Sequence, residues 1–168
     1  MVFHRPGPAH YLPVGELGQW GAGRELAIVT YGNGVYLSRQ AAVRLEAEGI
    51  ALRIVDLRWL TAIDHEAVHR HVADCDQVLV VDECRRSGSI SEELMTGLVE
   101  RGVESHRLHR LTAEDSFIPL GRAATVTLPS ADAIVERARR AVARPASAGF
   151  EGVVAAPSSK VSAGSDSE

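Results

Sequence analysis

The sequence predicts an α/β domain on a mostly parallel sheet, and three observations carry that prediction. Apolar, β-branched runs recur at residues 26–31, 50–57 and 78–81 without the alternation expected of a strand that shows one face to water. Stretches with helical spacing separate them on a beat of about 25 residues, the mark of strand–helix–strand units with right-handed crossovers. The run at 78–81 ends in a polar, Gly-containing loop followed by a helix, the unit in which open α/β sheets place ligands or partners.

Taken in order, residues 1–13 contain Pro6, Pro8 and Pro13, which block helix and inner-strand pairing, so this stretch reads as an extended lead-in. Residues 17–20 suit a short edge strand, and Gly21-Ala-Gly23 turns the chain into Leu26-Ala-Ile-Val-Thr-Tyr31, a buried strand. Gly32-Asn-Gly34 breaks it. A helix follows over 35–48, with Val35, Ala42 and Leu45 at helical spacing and Gly49 in the C-cap position. After the strand at 50–57, Asp64 caps a helix over 65–73 whose apolar side carries Val68 and Val72 and continues to Cys75.

Val78 to Val81 forms the central strand and stops at Asp82-Glu83. A helix over 91–101 comes next, with Ser89 or Ser91 as its cap, Glu92 in capping-box spacing to Ser89, and Gly102 closing it. Residues 106–111 make a fifth, weaker strand. The loop Asp115-Ser-Phe-Ile-Pro119 is apolar enough at Phe117 and Ile118 to dock on something, and the last helix spans 129–143 with Ile134, Ala138 and Val142 inward. This places one domain at residues 14–143. Residues 144–168 turn to Ser, Ala, Gly and Pro, a composition that cannot offset an ordering cost of roughly 1–2 kcal/mol per residue, and are expected to be disordered.

Composition narrows the function classes. At 168 residues the chain can bury an ordinary core without disulfides or a structural metal. Cys75 and Cys84 are too few for a disulfide framework, which suits a reducing, cytoplasmic compartment. There is no apolar run of 18 residues and no signal-peptide core, so a soluble protein without membrane association is expected. The net charge of −4, with scattered basic residues, argues against nucleic acid as a partner.

Three patterns carry possible chemistry. His65-Glu-Ala-Val-His69 matches H-E-x-x-H, which puts two imidazoles one helical turn apart to hold zinc. The helix is short, His65 sits in its capping turn, and the five other histidines give no downstream ligand at the required spacing, so a polar helix flank is the preferred reading. Gly32-Asn-Gly34 with Asp56 resembles a dinucleotide fingerprint, yet Leu37 stands where the third glycine belongs, and a strand-to-helix turn accounts for the pair. A stand-alone nucleotide-binding or regulatory module is the alternative function. After the central strand, Glu83, Arg85, Arg86 and Ser87 could orient an anion or join an ion-pair network between subunits, and Asp115 and Phe117 read as a docking loop. Cys84 has no adjacent base and reads as a bystander thiol.

Four segments in register then carry a resemblance: Leu26-Ala-Ile-Val-Thr-Tyr-Gly-Asn-Gly-Val35; Val55-Asp-Leu-Arg-Trp-Leu60 with Ile63-Asp64; Val80-Val-Asp-Glu83 with Ser87-Gly88; and Asp115-Ser-Phe-Ile-Pro119. Together they resemble the carboxyl-terminal domain of transketolase-like enzymes, above all that of the beta subunit of thiamine-diphosphate-dependent 2-oxoacid dehydrogenases of the pyruvate and branched-chain type. The resemblance implies a three-layer α/β/α domain with a five-stranded, mostly parallel sheet in which one strand, at 17–20, is antiparallel. It further implies a role in dimer and complex assembly beside an active site, with no catalytic, cofactor or metal residue supplied by this chain alone. Thiamine diphosphate and magnesium would belong to the assembled enzyme. The implied partners are an alpha subunit, a pyrimidine-binding domain and an acyltransferase core, in a homo- or hetero-oligomer, and the candidate interface residues are Glu83, Arg85, Arg86, Ser87, Asp115 and Phe117.

Overall fold

The computed structural model describes residues 12–143; the tail expected over 144–168 and the lead-in before residue 12 lie outside the described residues. Five strands form one sheet: β1 (Gly18–Trp20), β2 (Leu26–Thr30), β3 (Leu52–Asp56), β4 (Gln77–Asp82) and β5 (Leu108–Thr112). Their spatial order is β1-β3-β2-β4-β5. β1 runs antiparallel to β3, and the other pairs are parallel. The helices are α1 (Asn33–Ala47), α2 (His65–Val72), α3 (Ile90–Glu100), the short α4 (Ala124–Thr127) and α5 (Ala131–Val142). Among the described residues no helix is long and apolar enough to cross a membrane.

The continuous apolar runs become strands covered on both faces. Successive side chains of a strand point to opposite sides of the sheet, and every residue of β2 and β4 is buried. Leu26, Ile28, Leu79 and Val81 pack beneath α1 and α5 against Leu45, Ile134 and Ala138. Ala27, Val29, Val78 and Val80 face the other way, against Val68, Val72, Leu94 and Leu98 of α2 and α3. Each large apolar side chain so buried contributes about 1.5–3 kcal/mol relative to exposure. The outer edges of α1 and α5 are joined by a bidentate Arg139–Glu48 pair, its shorter bond 2.6 Å.

Several boundaries differ from the sequence expectation, each for a local reason. α1 starts at Asn33, two residues early, because Gly32, at φ 53°, turns the chain sharply out of β2. α2 is capped as expected, Asp64 Oδ1 accepting from the Ala67 N–H at 2.9 Å. At α3, Ser89 occupies the N-cap position without a side-chain cap, and Glu92 accepts from the Gly88 N–H at 2.9 Å instead. β5 begins at Leu108 because residues Ser105–Arg107 form a 3-10 turn. Between β5 and α5 the chain also forms a 3-10 turn at Gly121–Ala123 and the one-turn α4, for which the sequence gives no periodic signal. Ser130 caps α5, whose buried side is Ile134, Val135, Ala138 and Ala141, with Val142 only partly covered.

Candidate functional site

At the carboxyl ends of the neighbouring strands β2 and β4 the chain leaves to opposite faces of the sheet, into α1 on one and α3 on the other. In open α/β sheets the crevice at such a switch point receives ligands. Here it is closed by a hydrogen bond: the Tyr31 hydroxyl donates to Asp82 Oδ1 at 2.5 Å. Asp82 is 1% exposed. Its carboxylate also accepts from the Cys84 N–H at 2.8 Å and from the Ser91 N–H, in the first turn of α3, at 2.9 Å.

Burial opposes a charge on Asp82, but the Tyr31 hydroxyl, the Cys84 and Ser91 N–H groups and the Ser89 hydroxyl together outweigh it and hold its carboxyl below the usual range. For Tyr31 burial and the Asp82 bond act in the same direction, so its phenol is pushed far up and stays protonated. The network is an anchor for three segments of chain: the end of β2, the loop after β4 and the start of α3.

The loop after β4 is fixed a second time from outside. Ser87 donates its N–H and hydroxyl to the two oxygens of Asp115, at 3.1 and 2.7 Å, and Arg85 Nε donates to the Ser87 carbonyl at 3.0 Å. The Ser87 bonds, with Arg85 and Arg86 nearby, hold the exposed Asp115 carboxyl below its ordinary range. Four of the six residues singled out from sequence, Arg85, Arg86, Ser87 and Asp115, are thus brought together. Phe117 stands beside them, 97% exposed, lining with Arg85, Cys84 and Ile118 a cleft of about 560 Å³. Glu83 turns away: its Oε1 lies 3.1 Å from where a Cβ on Gly32 would stand. The segment carrying Phe117 also exposes Leu120 and Val126, at 95% and 83%.

The other sequence motifs resolve as follows. Gly32 and Asp56 do meet, on one cleft of about 820 Å³. Gly34, however, is packed so closely that a Cβ there would come within 2.1 Å of Thr30 Oγ1, and Leu37 lies against the core under α1 and α5. The two glycines serve the turn and the close approach of α1 to β2. In His65-Glu-Ala-Val-His69, His65 Nε2 is 3.0 Å from Glu93 Oε1 and its ring lies against Gly97 of α3. Among the described residues no group of three or more His, Cys, Asp or Glu is placed to hold a metal ion.

Sequence reasoning missed Asp82, taking it only as the point where the strand stops. The available signal was a polar residue, Tyr31 and Asp82, closing each of two apolar runs, but joining them requires knowing that β2 and β4 are neighbours.

Comparison with known proteins gives a consistent result. The sequence model described as "Transketolase, C-terminal domain" matches residues 17–134. The pyruvate dehydrogenase E1 component subunit beta of Staphylococcus aureus is 29% identical over 136 residues, 80% of this chain and 42% of the relative. That of Bacillus subtilis (strain 168) is 31% identical over 120 residues, 70% of this chain and 37% of the relative. The chain therefore spans about two-fifths of the length of these relatives. Among solved structures, a split-gene transketolase described as an inactive beta4 tetramer superposes with a TM-score of 0.70 at 23% identity, covering 84% of this chain and 46% of that one. The 2-oxoglutarate:ferredoxin oxidoreductase from Magnetococcus marinus gives a TM-score of 0.55 at 19% identity, covering 80% and 20%. At these identities the two structures speak to the fold, the five-stranded mixed α/β sheet expected from the sequence.

Proposed function

Because the chain belongs to the transketolase carboxyl-terminal domain family, we propose that it is the carboxyl-terminal domain of the decarboxylating component of a thiamine-diphosphate-dependent 2-oxoacid dehydrogenase, in the position of the beta subunit. It builds subunit contacts and flanks an active site that other chains complete. Its partners are an alpha subunit, a pyrimidine-binding domain and an acyltransferase core. The observation that carries this reading is the exposed apolar segment with Phe117, Leu120 and Val126, set beside a loop clamped by Ser87 and Asp115. Apolar groups gathered on a surface mark contact with another molecule, and a loop held at both ends presents them in a fixed arrangement.

The residues present do not fit the diphosphate and magnesium of the coenzyme. Magnesium takes carboxylate oxygens together with phosphate oxygens, and both oxygens of Asp82 are occupied by Tyr31, Cys84 and Ser91. The Glu83 carboxylate lies beside the Gly32 turn, where it would repel a phosphate. The coenzyme is therefore assigned to the other chains.

Two measurements on the full chain test the reading. Titration of thiamine diphosphate into the chain alone should give no binding heat, and adding an alpha subunit and a pyrimidine-binding domain should produce 2-oxoacid-dependent reduction of an artificial electron acceptor. By sedimentation, a Phe117→Ser/Leu120→Ser variant should remain folded and bind those chains about tenfold more weakly, a loss of about 1.4 kcal/mol. Saturable coenzyme binding by the lone chain, or undiminished association of the variant, would refute it.

A further inference from the structure

The cleft of about 820 Å³ at the carboxyl ends of β2 and β3, lined by Trp20, Tyr36, Arg39, Asp56 and Arg58, is untouched by the assembly reading. Its size and mixed lining suit a molecule of metabolite size: ligand pockets run to some hundreds of cubic ångströms, mainly apolar with a few polar groups. Trp20, Val35, Tyr36 and Val43 supply the apolar part.

Its two guanidiniums are unlike most others in the domain. Arg53 and Arg139, for example, are tied to the carboxylates of Asp74 and Glu48. Arg39 and Arg58 are in no ion pair among the described residues. Arg39 instead lies over the Trp20 ring, 5.6 Å from its centroid. That contact is with an aromatic ring and not a carboxylate, and no ion pair of Arg39 with another described residue takes its N–H donors, which can therefore meet an anion.

Arg58 adds a backbone observation. It is the one non-glycine residue with positive φ, at 58°, among those described, a conformation that L residues adopt at a cost and that clusters at functional sites. Asp56 Oδ1 holds the turn by accepting from the Arg58 N–H at 3.1 Å. Burial raises the Asp56 carboxyl while the Arg58 N–H and the nearby Arg58 guanidinium lower it, so the two charges interact, although no contact ion pair within 4.0 Å joins them. Gly32 lines the cleft as well, and because Glu83 Oε1 lies beside it, an anion is directed away from that wall and toward Arg39 and Arg58.

We propose that this cleft binds a small organic anion, its carboxylate or phosphate group taken by Arg39 and Arg58 and its remainder resting on the Trp20, Val35 and Tyr36 side. Side-chain NMR of the full chain tests this, following the arginine Nε–H and Trp20 indole signals. Inorganic phosphate, succinate and adenosine monophosphate are the probes. At least one organic anion should give saturable shifts at Arg39, Arg58 and Trp20, with half-saturation at about 1 mM or below; succinate against the nucleotide separates a carboxylate from a phosphate ligand. Arg39→Gln/Arg58→Gln should weaken that binding at least about tenfold, while Arg70→Gln, which removes one positive charge outside the cleft and so matches Arg39→Gln alone, should leave it unaltered. If the double variant loses the native amide spectrum, Arg39→Gln alone, on an exposed helix flank, carries the same expectation. Absence of saturation with both organic probes, response to inorganic phosphate alone, or equal binding by the variant would overturn the proposal.

Discussion

Replacing Asp82 by Asn should be among the most damaging isosteric changes in the domain. The carboxylate accepts from the Tyr31 hydroxyl and the Cys84 N–H on one oxygen and from the Ser91 N–H on the other, with almost no access to water. An amide placed there has one oxygen and one NH2. In either orientation its NH2 faces a backbone N–H, so a buried donor is left without an acceptor, a cost of about 1–3 kcal/mol. The remaining bonds lose their charge assistance, and hydrogen bonds to charged groups are worth about 1.5–3 kcal/mol against about 1 for neutral ones. The sum is about 3–4 kcal/mol, a large part of the 5–15 kcal/mol typical of a domain. In urea, with a slope of about 1–3 kcal/mol per molar, the midpoint should fall by at least about 1 M.

The pH dependence gives an independent check. The folded carboxyl of Asp82 lies below its unfolded value of about 3.9, so its contribution is complete above that value and is lost as pH falls through the lower, folded one. The difference between wild type and Asp82→Asn should therefore be the same at pH 7 and pH 5 and shrink only below about pH 4. A midpoint shift under about 0.3 M with unchanged slope, or a difference that already fades between pH 7 and 5, would refute the anchoring role.

Two further outcomes follow from the same end of the sheet. Gly34→Ala should destabilise by about 1–2 kcal/mol, the overpacking of its Cβ on Thr30 Oγ1 exceeding the gain in helix propensity. A second change, Thr30→Ala, should recover more than half of that loss in a double-mutant cycle, and strictly additive effects would place the cause elsewhere. Asp115→Ala should leave the urea midpoint unmoved while hydrogen exchange at the Ser87 amide accelerates at least about tenfold, because that amide loses its acceptor in a surface loop. Unchanged exchange there would mean that Asp115 does not hold the loop.

The parts of this fold that were legible in the sequence are those encoded within a few residues. Four apolar residues in a row at Val78 to Val81, three of them β-branched, suit a strand covered on both sides, and Asp64 three residues before Ala67 has the spacing of a cap. What could not be read depends on pairing across the sheet. Asp82 becomes an anchor because β2 lies beside β4, placing Tyr31 within reach across 51 residues of chain. Ser87 and Asp115 were singled out for separate reasons, and the pairing of Asp82 with Thr112 at the end of β4 and β5 is what brings their loops together. Glu83 parts from its neighbours for the same kind of reason, since its side chain is directed toward Gly32 and the start of α1 while Asp82 faces Tyr31 and the start of α3.

These relations also explain why the four segments behind the family resemblance are scattered in the chain. Residues 26–35 are β2 with the loop after it, 55–64 and 80–88 are the carboxyl ends of β3 and β4 with their following loops, and 115–119 is the loop after β5, so all four reach the same end of the mostly parallel sheet. At that end the polar groups nearest the core are bonded to one another, as Tyr31 is to Asp82. Of the outermost groups, Phe117 and Leu120 are exposed, and Arg39 and Arg58 are in no ion pair within 4.0 Å among the described residues. A rigid base with exposed tips supports the binding role proposed above, because the ordering cost is met within the domain before a partner arrives.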